Sequence, residues 1–535
     1  MAKGHLTVVI LDYGSQYTQL ITRRIRELGI YSVILPADVS ISRIEALSPR
    51  AVILSGGPSS VYDEGAPTLP KGFLDFQKLK KIPVLGICYG MQLLARELGG
   101  NVERAHVREY GRMQVQPDTV SRLLGGDLSK PFHAWMSHGD ETKKIPQGFR
   151  AIAKTANGSL AAIENVEAGI YALQFHPEVV HTENGNKLLR RFLVDLAGIG
   201  PDWDMGSVLE EQIEKIKAAV PAGEHVICGL SGGVDSTVAA TLVHRAIGNR
   251  LHCIFVDQGL LRHKEQERVM DMFSKNLHLS VECVDASERF LGKLAGVSDP
   301  EQKRKIIGAE FISVFEESAA KISKTVGHVP GFLVQGTLYP DVIESSPAPT
   351  SGGGHPAGKK FSSTIKSHHN VGGLPEKMKM KLIEPLRDLF KDEVRELGKC
   401  LGVPENFLKR HPFPGPGLAV RVIGDITRER LDILRQVDEI FIDSIRGAGL
   451  YDKIWQAFAV FLPIKSVGVQ GDGRTHDHVV ALRAVTSSDG MTADWFHFDS
   501  KFLADVSSKI CNQVRGVNRV VYDISSKPPA TIEWE

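Results

Sequence analysis

The chain is 535 residues long, 42% apolar and 24% charged, enough for about three or four cores and not the composition of a disordered chain. Lys plus Arg is 64 and Asp plus Glu is 63, so the formal charge is +1 and no global basic field draws the chain to nucleic acid or an anionic membrane. The six cysteines stand singly, without a C-x-x-C pair, and no apolar run nears the roughly 18 residues that cross a bilayer; neither a disulfide framework, structural zinc nor a membrane span is suggested, and a reducing cytoplasm is expected.

Short apolar runs alternate with amphipathic stretches from the start. Leu6–Leu11, Ser32–Leu35, Ala51–Leu54, Pro83–Leu85 and Ile170–Phe175 read as strands; Gln19–Leu28 and Met91–Leu98 read as helices. Continuous apolar strands between helices predict an α/β domain with a doubly wound parallel sheet. Gly198–Trp203 breaks the pattern as a linker, so the first domain is expected over 1–201.

Within it, Gly86-Ile87-Cys88-Tyr89-Gly90 follows a strand and precedes a helix. This is a G-x-nucleophile-x-G elbow with sulfur in place of oxygen. Small flanking residues permit the tight turn, and the helix N-terminus favours thiolate. The Tyr89 N–H is a candidate oxyanion donor. A nucleophilic Cys needs a base, and Gln174-Phe175-His176-Pro177-Glu178 supplies His176 with a carboxylate, Glu178, two residues on.

These residues resemble the class I (triad-type) glutamine amidotransferases, over residues 1–200. The resemblance implies hydrolysis of the glutamine side-chain amide by Cys88, His176 and Glu178. It makes Ser55-Gly56-Gly57-Pro58 the oxyanion loop, with the Gly57 N–H joining that of Tyr89. It places Gln92, Ser137, His138 and Gly139 against glutamine. His133, His138 and His181 are read as packing, substrate-contact or surface residues rather than bases.

A second α/β pattern follows, expected over 202–404. Ser207–Ala219 is amphipathic; His225–Leu230, Leu251–Val256, Leu279–Val284 and Gly331–Gln335 read as strands of another doubly wound sheet. Between the first strand and the helix Thr237–Ala246 lies Ser231-Gly232-Gly233-Val234-Asp235-Ser236-Thr237. Two glycines let backbone N–H groups approach an anion, and hydroxyls add donors. The G-K-[ST] ending of a Walker A loop is missing. The loop resembles that of the ATP pyrophosphatases, which implies cleavage of ATP between the α- and β-phosphates with transfer of AMP to an oxygen. Given that resemblance, Asp235 lies beside a polyphosphate, which makes sense only if a cation intervenes, and it is assigned to Mg²⁺. No zinc, flavin or haem is expected. Asp257, at a strand end, lies near the nucleotide or caps a turn.

Ser345–Lys360 is rich in Ser, Gly and Pro. Asp341, Glu344, Lys366, His368 and His369 flank it, and residues 341–372 are read as a lid over the nucleotide. Adjacent His368 and His369 point apart in a strand, so they are not read as a metal pair.

From about Pro404 the pattern changes to a smaller α+β domain, expected over 405–535. His411–Gly417 precedes a strand at Leu418–Ile423, a helix at Arg428–Ala448, strands at Val467–Val469 and His478–Val485, a helix near Lys501–Val514 and a strand at Val517–Asp523. Gly468–Arg474, Tyr339–Ser345, Ile365–Asn370, His411–Gly417 and Lys527–Glu535 resemble the glutamine-hydrolysing GMP synthetases. Over essentially the whole chain, that resemblance implies xanthosine 5′-monophosphate as acceptor, adenylated at its C2 oxygen and aminated there. It implies acceptor binding by Arg304, Gln470, Lys527 and Glu533, and a homodimer through the last domain, with Leu418–Ile423 and Val517–Ile524 as apolar strands. The run Ser346–Phe361 is longer than that family's usual loop. A segment with two prolines that ends in Trp534 reads as docked.

Two other readings compete. One is amidation of another oxo acceptor, such as nicotinic-acid adenine dinucleotide or aspartate; the asparagine-forming enzymes use an N-terminal Cys, and this chain begins Met1-Ala2. The other is an RNA-modifying protein on the same loop, which predicts paired cysteines or a basic, aromatic-laced domain; the sequence has neither.

Overall fold

The computed structural model describes residues 5–118, 120–345, 380–470, 473–487 and 492–535. The chain packs as two units, one built on residues up to Val208, the other on Leu209–Tyr339 and the described residues from Met380 on.

The first unit is organised on a nine-stranded sheet of order β2-β1-β3-β4-β9-β8-β7-β5-β6. Strands β1 (Val8–Asp12), β2 (Ser32–Pro36), β3 (Ala51–Leu54), β4 (Val84–Ile87) and β9 (Ile170–Leu173) are parallel neighbours, as the apolar runs predict. The helix Thr18–Glu27 packs through Ile21 and Ile25, four residues apart on one face. Two apolar layers, one on Ile10, Ile53 and Leu85, the other on Val9, Val52 and Val84, cover the two faces.

Strands β5 (Asn101–Pro117), β6 (Phe132–Lys144), β7 (Arg150–Thr155) and β8 (Leu160–Asn165) extend this sheet in antiparallel fashion, an addition that the strand pattern of the parallel half does not announce. Residues 132–140 of β6 alternate buried and half-buried, the mark of a sheet with one face toward the core. The stretch expected to be a linker is docked: Asp202 accepts from Leu6 N at 2.7 Å, and Trp203 packs on His5 and Tyr31.

In the second unit, five parallel strands run in the order β12-β11-β10-β13-β14. They are β10 (Val226–Leu230), β11 (Leu251–Asp257), β12 (Val281–Asp285), β13 (Phe332–Val334) and β14 (Lys381–Ile383). The long helix Pro300–Val326 carries its own signals: Asp299 caps Gln302 N, Pro300 occupies the first turn and Gly327 ends it with φ 84°. A separate sheet pairs the long hairpin β15 (Gln456–Gln470) and β16 (Gly473–Thr486) with β17 (Asp494–Trp495) and, parallel to β16, β18 (Val517–Tyr522). The helix Arg428–Gly447 covers it through Leu434, Val437 and Phe441. One apolar core runs from Ile227 and Ile254 to Leu482 and Val517, so the two sheets share a core.

The strand expected at Leu418–Ile423 does not form. Gly417–Arg421 is a 3-10 turn, and only Val422 bridges to Phe461. Pro414 and Pro416 cannot donate to a ladder. Gly417 (φ 64°) brings the chain so close that a Cβ would meet Leu260 O at 2.5 Å. Leu418, Ala419, Val420 and Val422 are fully buried and offer no surface to a second subunit.

Candidate active site

Cys88 stands between β4 and the helix Tyr89–Glu97 with φ 52° and ψ −104°. That conformation is costly for a residue with a Cβ and survives only where its surroundings fix it. The fixing is visible: Cys88 N donates to Leu173 O at 2.7 Å and Gly90 N to Ser55 O at 3.1 Å. A Cβ on Gly86 would lie 2.6 Å from Gly90 O, and one on Gly90 2.5 Å from Leu54 O, so both flanking positions admit only glycine.

The Cys88 thiol is 3.7 Å from Ser137 O, and Gln174 Nε2 lies 3.8 Å from the sulfur. His176 Nδ1 is 2.8 Å from Glu178 Oε1, and both side chains are buried. Burial disfavours the imidazolium, but the Glu178 carboxylate and the Cys88 sulfur outweigh it and raise the His176 pKa well above its usual value. The ring is set by Tyr17, edge-on at 5.0 Å, and by Thr182 Oγ1, which donates to His176 O at 2.6 Å. A histidine held by a carboxylate and set beside a cysteine sulfur is the arrangement of a Cys–His nucleophile pair.

The Gly56-Gly57 backbone lies against these groups. A Cβ on Gly56 would come within 3.0 Å of His176 Cε1, and one on Gly57 within 2.6 Å of Tyr13 O. Gln92 is buried and its Nε2 donates to Asp140 O at 3.1 Å and Gln174 Oε1 at 3.3 Å. His138 is held between Asp140 O (2.9 Å) and Glu109 Oε2 (3.2 Å). Burial lowers its pKa, against the opposing pull of Glu109. Gly139 faces Tyr110 and Arg108. Asp140 ties the oxyanion loop to β6, accepting from Ser60 Oγ and from Tyr62 OH at 2.7 Å.

In the second unit the loop 231–237 joins β10 to the helix Val234–Ile247. Its hydroxyls bond inward: Ser231 Oγ meets Ser236 Oγ at 3.0 Å, and Thr237 Oγ1 donates to Gly233 O at 2.8 Å. Asp235 already faces a cation: Lys391 Nζ lies 2.5 and 2.6 Å from its two carboxylate oxygens. The same loop receives Arg410 Nη1 on Gly232 O at 3.2 Å. Asp257 accepts from Gly259 N at 2.8 Å and so caps the turn after β11.

Of the acceptor candidates, Glu533 accepts a two-pronged pair from the fully buried Arg421, at 3.0 and 2.8 Å, and a third bond from Gln456 Nε2 at 2.8 Å. Arg304 Nη2 donates to Glu535 O at 2.7 Å. Lys527 pairs with Ala493 through its backbone. Trp534 Nε1 donates to Asp523 at 2.9 Å, so the segment is docked. Gln470 ends β15, across from Gly473. Asp341 and Glu344 lie on the helix Tyr339–Ser345, while Lys366 and the run 346–361 lie outside the described residues.

Three families match in succession: class-I glutamine amidotransferases over residues 9–196, NAD synthase over 206–302 and the GMP synthase C terminal domain over 443–534. A glutamine-hydrolysing GMP synthase of Nitrobacter hamburgensis is 57% identical over 100% of this chain and 97% of its own. One from Chlorobaculum tepidum is 56% identical over 100% of both. The chain belongs to the glutamine-hydrolysing GMP synthase family. A solved glutamine amidotransferase of Thermotoga maritima aligns with 36% of this chain and 98% of its own at 18% identity and a TM-score of 0.30.

Sequence reasoning missed Lys391, Arg421 and Asp140 in this GMP synthase family member. Lys391 opens a helix in Phe390-Lys391-Asp392-Glu393, and nothing local relates it to a loop 156 residues away. Arg421 sits in an apolar run, Gly417–Arg421, where a charge signals a buried partner. Asp140 follows Ser137-His138-Gly139 directly and was within reach of the motif.

Proposed function

We propose that the chain makes GMP from xanthosine 5′-monophosphate, ATP and glutamine, in the roles that follow. Cys88 Sγ attacks the glutamine side-chain carbonyl. The Tyr89 and Gly57 N–H groups hold the oxyanion, and His176 gives its proton to the departing ammonia. Water then cleaves the glutamyl thioester. At the second centre the C2 oxygen of the acceptor attacks the α-phosphate of ATP, pyrophosphate leaves along the loop 231–237, and ammonia displaces AMP from C2. One step makes a nucleophile, the other an electrophile; their presence in one chain is the observation that carries the reading.

Gln92, Ser137, His138 and Gly139 form the glutamine wall; Arg304, Gln470, Lys527 and Glu533 bind the acceptor; Asp341, Glu344 and Lys366 belong to the lid. Asp235 is the residue to hold Mg²⁺. Mg²⁺ commonly takes one or two carboxylates and fills its shell with phosphate and water. When bound, Mg²⁺ would neutralise the phosphates, with Lys391 yielding its place on the carboxylate. Exposed Ile464, Val467, Val469, Val521 and Ile524 support a homodimer through the hairpin β15–β16 and β18. No helix among the described residues is long and apolar enough to cross a membrane.

The test is an assay of ATP cleavage products with xanthosine 5′-monophosphate, nicotinic-acid adenine dinucleotide and aspartate. AMP and pyrophosphate with the first alone support the reading; ADP and orthophosphate, or cleavage driven by another acceptor, overturn it. Asp235→Asn should remove pyrophosphate release whether glutamine or ammonium supplies nitrogen, and normal release would remove Asp235 from the metal.

A further inference from the structure

The helix Pro300–Val326 carries a lysine that this scheme leaves unused. Lys303 is fully buried. An ammonium tolerates that only when its three donors are all met. Its Nζ donates to Val422 O at 2.7 Å, to Ala419 O at 3.2 Å and to the Glu535 carboxylate. Three donors meet three acceptors.

Those acceptors belong to the two segments that surround Glu533. Ala419 and Val422 flank Arg421, whose guanidinium grips Glu533 by two hydrogen bonds. Glu535 lies two residues beyond Glu533, and it also receives Gly424 N on Oε1 at 3.3 Å and, on its main-chain oxygen, Arg304. Lys303 thus fastens the turn 417–422 and the segment 533–535 to one point of the helix that also bears Arg304.

We propose that Lys303 is a positioning residue for acceptor binding: through Glu535 and the 417–422 turn it sets Arg304 and Glu533 at the spacing that the phosphorylated purine requires. The inference rests on the reading of Arg304, Lys527 and Glu533 as acceptor residues. An apolar side chain would fill the same volume without an ammonium to desolvate, and buried ion pairs often yield to hydrophobic isosteres without loss of stability. What the ammonium adds is direction: it fixes two carbonyls and a carboxylate at defined angles.

The experiment compares Lys303→Met, the double variant Lys303→Met/Glu535→Leu and Lys527→Ala in the full chain. Ammonium serves as nitrogen source, and KM for xanthosine 5′-monophosphate is read beside kcat and the unfolding midpoint. The single Lys303 variant leaves Glu535 without its ammonium and can lose its fold; the double variant removes both charges and keeps the question open to measurement. Expected is a double variant that melts at or above the parent, with KM raised roughly tenfold or more and kcat changed by less than about twofold. A stable double variant with the parent's KM, while Lys527→Ala raises it, overturns the role of Lys303 alone. An unchanged KM in Lys527→Ala overturns the acceptor reading, and this inference with it.

Discussion

The Cys88 elbow and the loop 231–237 occupy the same kind of place, where a parallel strand gives way to a helix, and they are built in opposite ways. At the elbow Cys88, His176 and Glu178 are all buried. Cys88 is strained, the His176 pKa is raised, and Glu178 holds His176 at 2.8 Å. At the loop, Ser231 and Gly233 are exposed, the hydroxyls bond to one another, and Asp235 is held by a lysine. A cysteine nucleophile is readied by partners the protein itself supplies, the His176 ring and the Glu178 carboxylate. A polyphosphate brings its own charge, so its cradle stays open and its donors rest on internal partners until it comes. From this contrast we propose that the elbow is preorganised and that the loop is completed by its ligand.

Cys88→Ala tests that division with the largest effect. Glutamine-dependent synthesis should fall by at least ~10⁴-fold while ammonium-driven synthesis persists. Loss of both would mean that the two centres are not chemically separate. Glu178→Gln should come next, lowering glutaminase kcat/KM by roughly 10²–10⁴-fold. The sign of its pH effect follows from His176. The carboxylate raises the imidazole pKa, so its removal lets the proton leave at lower pH, and the alkaline limb of the glutaminase profile should move down. A limb that stays in place would show that Glu178 only orients the ring.

At the open site the effects should be smaller. On the proposal that Lys391 turns to the phosphates once it leaves Asp235, Lys391→Met should raise KM for ATP roughly tenfold with pyrophosphate release retained. An unchanged KM would make Lys391 a placeholder rather than a phosphate ligand. The smallest effect is expected far from both loops. Trp534→Phe deletes one partly exposed hydrogen bond to Asp523 and should lower stability by about 0.5–1.5 kcal/mol, read from denaturant unfolding. A drop in synthesis larger than that loss explains would link the docking of segment 533–535 to acceptor binding.

Legibility in the sequence followed distance along the chain. The elbow is five consecutive residues, His176 and Glu178 are two apart, and the loop is seven in a row, so strand-to-helix geometry and chemistry were written together. The parallel strands were equally plain, since each is a short apolar run. The antiparallel extension β5–β8 was not read, because half its side chains face away from the core and break the continuous apolar signal. The apolar run 418–423 misled in the reverse sense: its burial was real, but Pro414, Pro416 and Gly417 turn it against Leu260 instead of pairing it.

By itself, the sequence determined the two strand-to-helix turns and the candidate groups they display, since backbone geometry and motif spacing are decided within a few residues. The tertiary structure alone decided the partners: Lys391 to Asp235 across 156 residues, Arg421 to Glu533 across 112, Lys303 to Glu535 across 232. A charge carries no local mark of the opposite charge it will meet. Only burial, which makes an unpaired ion intolerable, and topology, which brings distant segments together, select that partner.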